Sequence, residues 1–539
     1  MEANMNMDAK MDQHSDMVKT IAATVRRFYE DGESFRVFHG SSNSTRPSHG
    51  VNNRRPNIVD ISTLCNILLV DPERRIALAE PNVPMDKLVE TTLPYNLVPP
   101  VVMEFPGITV GGGFSGTSGE SSSFRHGFFD DTVNFVEMVL GNGNVVRASR
   151  DERPDLFFGA AGAVGTLGIV TLVEVQLVEA KKWVKTTYRR TATVADAISR
   201  IEEEAKNLGH VDVDYIDGIV FSPSHAVVIT GQLTDVKLPT HPVRTFSNAS
   251  DPWFYMHVQD ITSRDREEEE VVEYIPLGEY LFRYDRAGFW VGRQGYTYFK
   301  VVPFTRFFRW LLDDYSHTRT LYHALHASGI ASQFVVQDLA LPYASAEEFI
   351  NWVDRELGIW PLWLCPLRAG RTGSFHPLTD PKSKCKSQHE LDENEKDEKA
   401  ENTSQAMLNI GVWGWGPPSY HSFITKNRAL EAKLAELRGR KWLYAHTYYT
   451  EDEFWKEYHH RDEYDALREK YFATTLPTVY DKVRVKLRGE LEGEKKGVGG
   501  GGDQSWLSMW PIGGIYGMVR ATLSGDIALH RKATWRYRG

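Results

Sequence analysis

One stretch limits what this chain can fold into: Phe105–Phe129, FPGITVGGGFSGTSGESSSFRHGFF. Its glycines are interleaved with Thr109, Ser115, Thr117, Ser118 and the run Ser121–Ser122–Ser123. Glycine tolerates positive φ and lacks Cβ, so such a segment bends sharply and lets its backbone approach a ligand. Successive main-chain N–H groups in tight turns form concave anion sites, and hydroxyls add donors. A flexible linker would not carry Phe105, Ile108, Val110 and Phe114 at spacings that bury. The expectation is a cradle for a diphosphate.

A second glycine-rich loop, Gly159–Val175 (GAAGAVGTLGIVTLVEV), runs straight into a β-branched strand. Neither loop is a Rossmann fingerprint, because no G-x-G-x-x-G lies between a strand and a helix with an acid further on. No glycine-rich run ends in Gly-Lys-Ser/Thr, which excludes a Walker loop. A third turn-rich loop, Gly40–Ser41–Ser42–Asn43–Ser44–Thr45–Arg46, follows a short strand and is again suited to an anion.

With 539 residues the chain is long enough for two or three domains. A formal charge of −10 argues against a nucleic-acid binder. Three separated cysteines, Cys65, Cys365 and Cys385, suit neither a disulfide framework nor a zinc site and favour a reducing compartment; no metal site is expected. The N-terminus is polar and lacks the apolar core of a signal peptide, so secretion is not expected. No apolar run reaches membrane-spanning length. Trp506–Val519, WLSMWPIGGIYGMV, is too short to span; it either lies in a membrane interface or packs on the protein.

In order, residues 1–34 form a lead-in with helical spacing over Met17–Tyr29. Residues 35–180 read as an α+β domain: short strands at Phe35–His39, Asn57–Ile61, Leu64–Val70 and Arg75–Glu80, in a βαβ-like alternation with a helix at Pro84–Thr92. The hairpin Thr132–Leu140/Asn144–Ala148 turns at Gly141–Asn142–Gly143. Residues 181–488 form a second α+β domain, with helices at Val194–Asn207, Ala344–Leu357 and Asn427–Leu437 and strands including Trp442–Tyr449. Glu451–Tyr471 is read as helical. The section Tyr274–Trp310 mixes aromatics with arginines, as a large apolar pocket with a few polar groups would. Within this domain Leu378–Gln405 reads as a disordered insertion. Residues 489–539 are a glycine-rich linker and an aromatic tail.

The set NIVDISTLCNILLVDPERRIALAEPNVPMDKLVE, GGGFSGTSGESSS and GAVGTLGIVTLVEV resembles the FAD-binding domain of the vanillyl-alcohol-oxidase (PCMH-type) flavoprotein superfamily. Within it, ESSSFRHGFF, AKKWVK, YIPLGEYLFRYDRAGFW, VVQD, WPLWLC, LYAHTYYTEDEFW and LPTVYDKV resemble the delta-24-sterol reductases of the Diminuto type, over about Phe35–Val483. The resemblance implies an α+β fold, in which a two-subdomain FAD-binding domain precedes a substrate, or cap, domain. It also implies FAD, NADPH as reductant, and a sterol side-chain alkene as substrate. That family carries an N-terminal membrane anchor, a pattern this sequence does not show. Peripheral contact with the endoplasmic reticulum membrane, or a cytoplasmic location, is the expectation.

Ser41, Ser42, Asn43 and Ser44 are expected to serve the FAD diphosphate. Gly111, Gly112, Gly113, Thr117, Ser118, Ser121 and Ser122 should serve the diphosphate and ring. Gly162, Gly165, Thr166, Gly168 and Ile169 should complete the ring and adenine side. Some superfamily members attach FAD through a histidine; here Ser118 holds the corresponding place and His126 reads as an exposed loop residue, so noncovalent FAD is expected.

An isolated trisubstituted alkene is poorly electrophilic. Protonating its CH carbon puts positive charge on the more substituted carbon, which then accepts a hydride. Tyr284, Asp285, His446 and Tyr448 are the candidate acids, and Arg286 would orient or stabilise charge. Two other readings share the first domain's features: an FAD-dependent sugar or aldonolactone oxidase, whose typical His-Trp-Gly-Lys-like ending has no counterpart here, and a flavin- or sterol-binding protein without catalysis.

Overall fold

The structure, a computed structural model, describes residues 2–40, 57–207, 213–263, 270–328, 333–368, 375, 406–458, 461–485 and 510–539. The expected loop Ser41–Ser44, the insertion Leu378–Gln405 and the linker Gly489–Gln504 lie outside these residues.

The chain opens with one helix, Glu2–Glu30, longer than its Met17–Tyr29 periodicity suggests. Val18, Ile21, Val25 and Phe28 recur on one face and bury in the core of the first domain. The additional turns are anchored by a polar contact that hydrophobic spacing does not reveal. His14, itself buried, lies 2.9 Å from Glu80 through Nδ1 and 3.2 Å from Glu137 through Nε2.

The first domain is built on a five-stranded sheet in the order Ile67–Asp71, Ile76–Ala79, Ile169–Gln176, Val133–Val139, Val145–Ser149. Every ladder in it is antiparallel. The βαβ-like reading does not describe this sheet; among the described strands only a separate pair, Arg36–Phe38 with Ile58–Asp60, is parallel. Elsewhere the short connections, such as the Asn142–Gly143 hairpin, impose antiparallel pairing.

The second domain is an eight-stranded antiparallel sheet. Its order is Glu270–Pro276, Trp183–Thr191, His225–Thr234, Tyr215–Ser222, Leu362–Leu367, Met407–Trp415, Phe334–Pro342, Arg440–Lys441. Strand alternation separates its two faces. Ile216, Val220, Leu339, Leu364, Ile410 and Val412 pack under the helices Val194–Lys206, Tyr343–Glu356 and Tyr420–Glu436. The alternate residues, among them Ile219, Trp363, Cys365 and Trp413, join the core of the first domain. With both faces covered, the sheet is a wall between a helical layer and the glycine-rich loops.

The expected strand Trp442–Tyr449 is not formed; the sheet ladder ends at Lys441, and beyond it Thr447 alone makes an isolated bridge, to Arg484. Its residues instead serve different neighbours. Trp442 donates to the Thr117 carbonyl at 2.9 Å, Tyr444 donates to Asp338, and the Tyr448 amide donates to Glu431. Glu451–Tyr471 resolves into two helices, Glu451–Glu457 and Arg461–Lys470.

Candidate functional site

The first glycine stretch is helical where it is richest in glycine. Thr109 caps Val110–Gly116 by accepting from the Gly112 amide at 3.2 Å. Gly111 and Gly113 serve packing: a Cβ at Gly111 would lie 2.7 Å from Pro81, and one at Gly113 would lie 2.5 Å from Met103 and 2.9 Å from Phe129. Gly116 is different, because a Cβ there would meet nothing within 4 Å, and at Gly112 it would meet only the Thr109 hydroxyl. The helix ends at Thr117, in the left-handed region with φ 49°. Beyond it Ser118 accepts from the Phe129 amide through its carbonyl, Ser121 accepts from the Ile216 amide at 2.8 Å, and the Ser122 hydroxyl donates to the Pro100 carbonyl. The stretch is therefore tied to the inner face of the second sheet.

The second glycine loop turns through positive φ at Gly162, Val164, Gly165 and Gly168. It meets the first where the Val164 amide donates to the Ser115 carbonyl at 3.3 Å. Thr166 is buried and accepts from Tyr464 at 2.8 Å, Gly168 packs against the Val139 carbonyl, and Ile169 starts the central strand. Lys482 donates to the Val164 carbonyl at 2.8 Å, and its ammonium also acts on His39, two residues before Ser41 in the sequence. Desolvation and that cation hold the His39 imidazole below its ordinary pKa. The second glycine loop and His39 thus meet one lysine, the first loop adjoins through Ser115, and the space over Gly116 is open.

On the far side of Ser121 lies a buried ionic cluster. Arg283, fully enclosed, donates to Asp217 at 3.0 Å, to the Tyr280 carbonyl at 2.9 Å and to the Ser121 hydroxyl at 3.4 Å, and pairs with Glu104 at 3.0 Å. Asp217 also accepts from Tyr284 at 2.7 Å and from Trp363 at 3.2 Å. Three further carboxyls share this region with one guanidinium. Burial raises Glu104 to about 8 against the opposing pull of Arg283, and pushes Glu120 well above its ordinary value with help from Glu104. Burial also raises Asp338 to about 7, although Asn409 donates to it at 3.0 Å and Tyr444 donates to its second oxygen. Glu104 and Glu120 are thereby held largely neutral near neutral pH and Asp338 about half protonated, beside the ion pair of Arg283 and Asp217.

The cluster borders an aromatic wall. Tyr284 stacks on Phe289 at 4.0 Å between ring centres, and Phe289 meets Trp413 edge-on at 4.3 Å and Trp363 at 5.2 Å. Phe289 reaches this position from a turn in which Ala287 and Phe289 both have positive φ, 79° and 61°. Non-glycine residues adopt that region at a cost, which is characteristic of sites where a side chain must be aimed.

Among the catalytic candidates, Tyr284 stands in this cluster. Arg286 does not: it is committed to Asp313 and to the carbonyls of Phe246, Ala249 and Asp251. Asp285 is held far below the ordinary carboxylate range, burial notwithstanding, by His317 and Thr318, so it has no proton to give. Tyr448 packs in the helical layer against Phe423, and the His446 carbonyl accepts from Gln337 and Lys441 at the sheet edge beside Glu431. His126 is half-buried at the end of the short helix Ser123–His126 rather than exposed, and its pKa falls to about 4 through burial and the charges of Arg125 and Arg368.

The acids Glu104, Glu120, Asp217 and Asp338 were not singled out from the sequence. The available signal was a lone acid inside an apolar run, as in YIDGIVF or VVQDLAL, where burial without a role is costly.

The site suits a flavin dinucleotide. Among the described residues, Glu120 Oε2, Asp217 Oδ1, Asn409 Oδ1 and the Tyr280 hydroxyl are buried with no hydrogen-bond partner. Buried polar atoms are almost always satisfied, so these atoms are available to the polar groups of a flavin ring. Lys482 and the open glycine surfaces supply charge and room for the diphosphate.

Comparison with known proteins agrees with this geometry. Residues 16–149 match the family described as FAD binding domain. The Delta(24)-sterol reductase of Homo sapiens is 28% identical over 484 residues, covering 87% of this chain and 86% of that protein. Those of Pisum sativum and Arabidopsis thaliana are 29% identical over 460 residues (80% and 77%) and 28% identical over 464 residues (80% and 78%). The chain carries an FAD-binding domain and, along most of its length, is similar to the Delta(24)-sterol reductases.

Proposed function

We propose that this chain is an FAD-dependent oxidoreductase that reduces the delta-24 side-chain double bond of a sterol, with NADPH as the hydride source. The observation that carries the reading is its similarity to the Delta(24)-sterol reductases over 87% of its length. Support comes from the neutral acids set between an aromatic wall and the glycine loops. Cys65 and Cys365 are free, in keeping with an intracellular setting, and the protein acts there either at the endoplasmic reticulum membrane or in the cytoplasm.

Lys482 and the main chain of Gly112, Gly116, Gly162 and Gly165 would hold the diphosphate, with Ser41, Ser42, Asn43 and Ser44 as further donors to it. Asp217, Glu120, Asn409 and Tyr280 would face the ring. When bound, FAD would relay a hydride from NADPH to the substrate. The protein's own task is the proton. Asp338, whose proton burial retains up to about pH 7 and which Asn409 and Tyr444 orient, donates to the CH carbon of the alkene. Positive charge then develops on the more substituted carbon, which the aromatic wall of Trp413 and Phe289 would stabilise. One NADPH and one proton are consumed per double bond. Tyr284 holds Asp217 in place, while Arg286, His446 and Tyr448 maintain the walls. FAD is held without a covalent bond, because Ser118 cannot form one and His126 is turned to its own arginine-lined corner.

Anaerobic mixing with NADPH followed by a panel of delta-24 sterols tests this. The flavin should bleach with NADPH and recover its colour on adding a sterol, with the saturated side chain found by mass spectrometry. Rapid reoxidation by air with no sterol product would indicate an oxidase instead. A flavin that never bleaches would indicate a binding protein.

A further inference from the structure

More than half of the large apolar side chains exposed among the described residues fall in two short segments, 301–311 and 510–529, and residues flanking the first touch the second. The C-terminal helix Ile512–Leu523 is arranged inversely to an ordinary surface helix. Its small residues Gly513, Gly514, Gly517 and Ala521 face the protein, and a Cβ at Gly517 would lie 2.4 Å from the Ala324 carbonyl. Its large residues point outward: Ile515 is 52% exposed, Val519 50% and Leu523 74%. A helix bathed in water would reverse that pattern.

The second segment lies alongside. Tyr315 and Thr522 hydroxyls are 2.8 Å apart, Trp510 donates to the Tyr298 carbonyl at 2.7 Å, and Phe299 packs on Gly514. Phe307, Trp310 and Leu311 extend the apolar face, each more than half exposed. Tryptophan and tyrosine, at Trp310, Trp510 and Tyr516, are the side chains favoured where hydrocarbon meets headgroups.

Charge decides what covers this face. The protein carries −10 overall, yet Val291–Leu311 contains no acid and four basic residues, Arg293, Lys300, Arg306 and Arg309. Trp510–Gly539 contains a single acid, Asp526, which is buried, against Arg520, Arg531, Lys532, Arg536 and Arg538. The neighbouring Asp313 and Asp314 are paired with Arg286 and Arg531. An apolar face with aromatic borders and basic flanks, on an acidic protein, matches an anionic lipid surface.

We infer that the paired segments 291–311 and 510–539 form a membrane-docking face that inserts shallowly into an anionic bilayer. This rests on the sterol-reductase reading and explains how such an enzyme reaches a substrate dissolved in lipid. The face is joined to the site: the C-terminal helix packs on Thr318–Ala327, whose Tyr322 touches Phe105, and Tyr298 stacks on Trp415, two residues from Trp413.

The test uses the full chain with FAD, sedimented with vesicles of phosphatidylcholine alone or with phosphatidylserine added. Partitioning should rise with phosphatidylserine and fall with salt. It should drop roughly tenfold or more in the double variant Ile515→Asp/Val519→Asp, and separately in Arg306→Glu/Arg520→Glu. Bleaching by NADPH should be unchanged in both, which shows that they fold. Wild-type protein that sediments with neither vesicle, or a double variant that binds as wild type, would overturn the inference. So would a dimer in solution that Ile515→Asp/Val519→Asp converts to monomer, since the face would then belong to a second copy. Activity on sterol delivered in cyclodextrin separates the two readings: docking lost with reduction intact refutes only the docking face, and docking intact with no reduction refutes only the reductase.

Discussion

At the residue scale the account depends on a carboxyl that stays protonated. Asp338→Asn keeps the shape and the Asn409 side while removing the proton, and should lower the rate of the sterol step by about 100-fold or more. Bleaching by NADPH should be unaffected, so stopped-flow traces for the two half-reactions give the check. The pH dependence has a defined sign. Burial raises Asp338 from 3.8 to about 7, so the sterol step should slow as pH rises through about 7. Stability follows the same group. Between pH 3.8 and 7 the unfolded chain ionises this acid and the folded one does not, so its contribution declines as pH rises through that window, by about 1.4 kcal/mol per pH unit. Urea unfolding across pH 4–8 should show a shallower decline in Asp338→Asn than in wild type. None of these acids was visible in advance. Asp217 and Asp338 sit in strands whose pattern announces burial, but which face meets the glycine loops depends on residues distant in sequence, such as Ser121 and Asn409.

Elements were read more securely than sites. The helices Val194–Lys206 and Tyr343–Glu356 fall within a residue or two of their expected bounds, because apolar spacing and caps such as Thr193 define them locally. Trp442–Tyr449 misled for the opposite reason: its alternating pattern serves contacts to separate layers rather than a ladder. The glycine helix shows how one composition covers two roles. Gly113→Ala should destabilise the apoprotein by about 1–3 kcal/mol, since its methyl would strike Met103 and Phe129. Gly116→Leu should leave apoprotein stability within about 0.5 kcal/mol, because the space is open, yet weaken FAD binding at least about tenfold. Thermal melts with and without FAD distinguish the pair. The lead-in helix offers a third element-level check. Hydrogen bonds to Glu137 and Glu80 outweigh burial and raise His14 to about 9 from 6.5. The stability it adds is complete below pH 6.5 and is lost as pH rises through about 9. His14→Gln should therefore cost about 3 kcal/mol at pH 6 and much less at pH 9.5, read by urea midpoints.

For the molecule as a whole, two antiparallel sheets face each other across loops whose backbone is bent by glycine, and the ionic cluster of Arg283 is sealed between them. The two-domain α+β plan was legible because the glycine stretches and the buried strands are local patterns. The meeting of the domains was not, since Trp442 reaches Thr117 and Tyr464 reaches Thr166 across some three hundred residues of sequence. The most direct test of the central claim is the absorbance of the purified protein reconstituted with FAD, before and after acid precipitation. The account predicts a yellow protein holding about one FAD per chain, all of it released to the supernatant. A chain that stays colourless and takes up no FAD would contradict it.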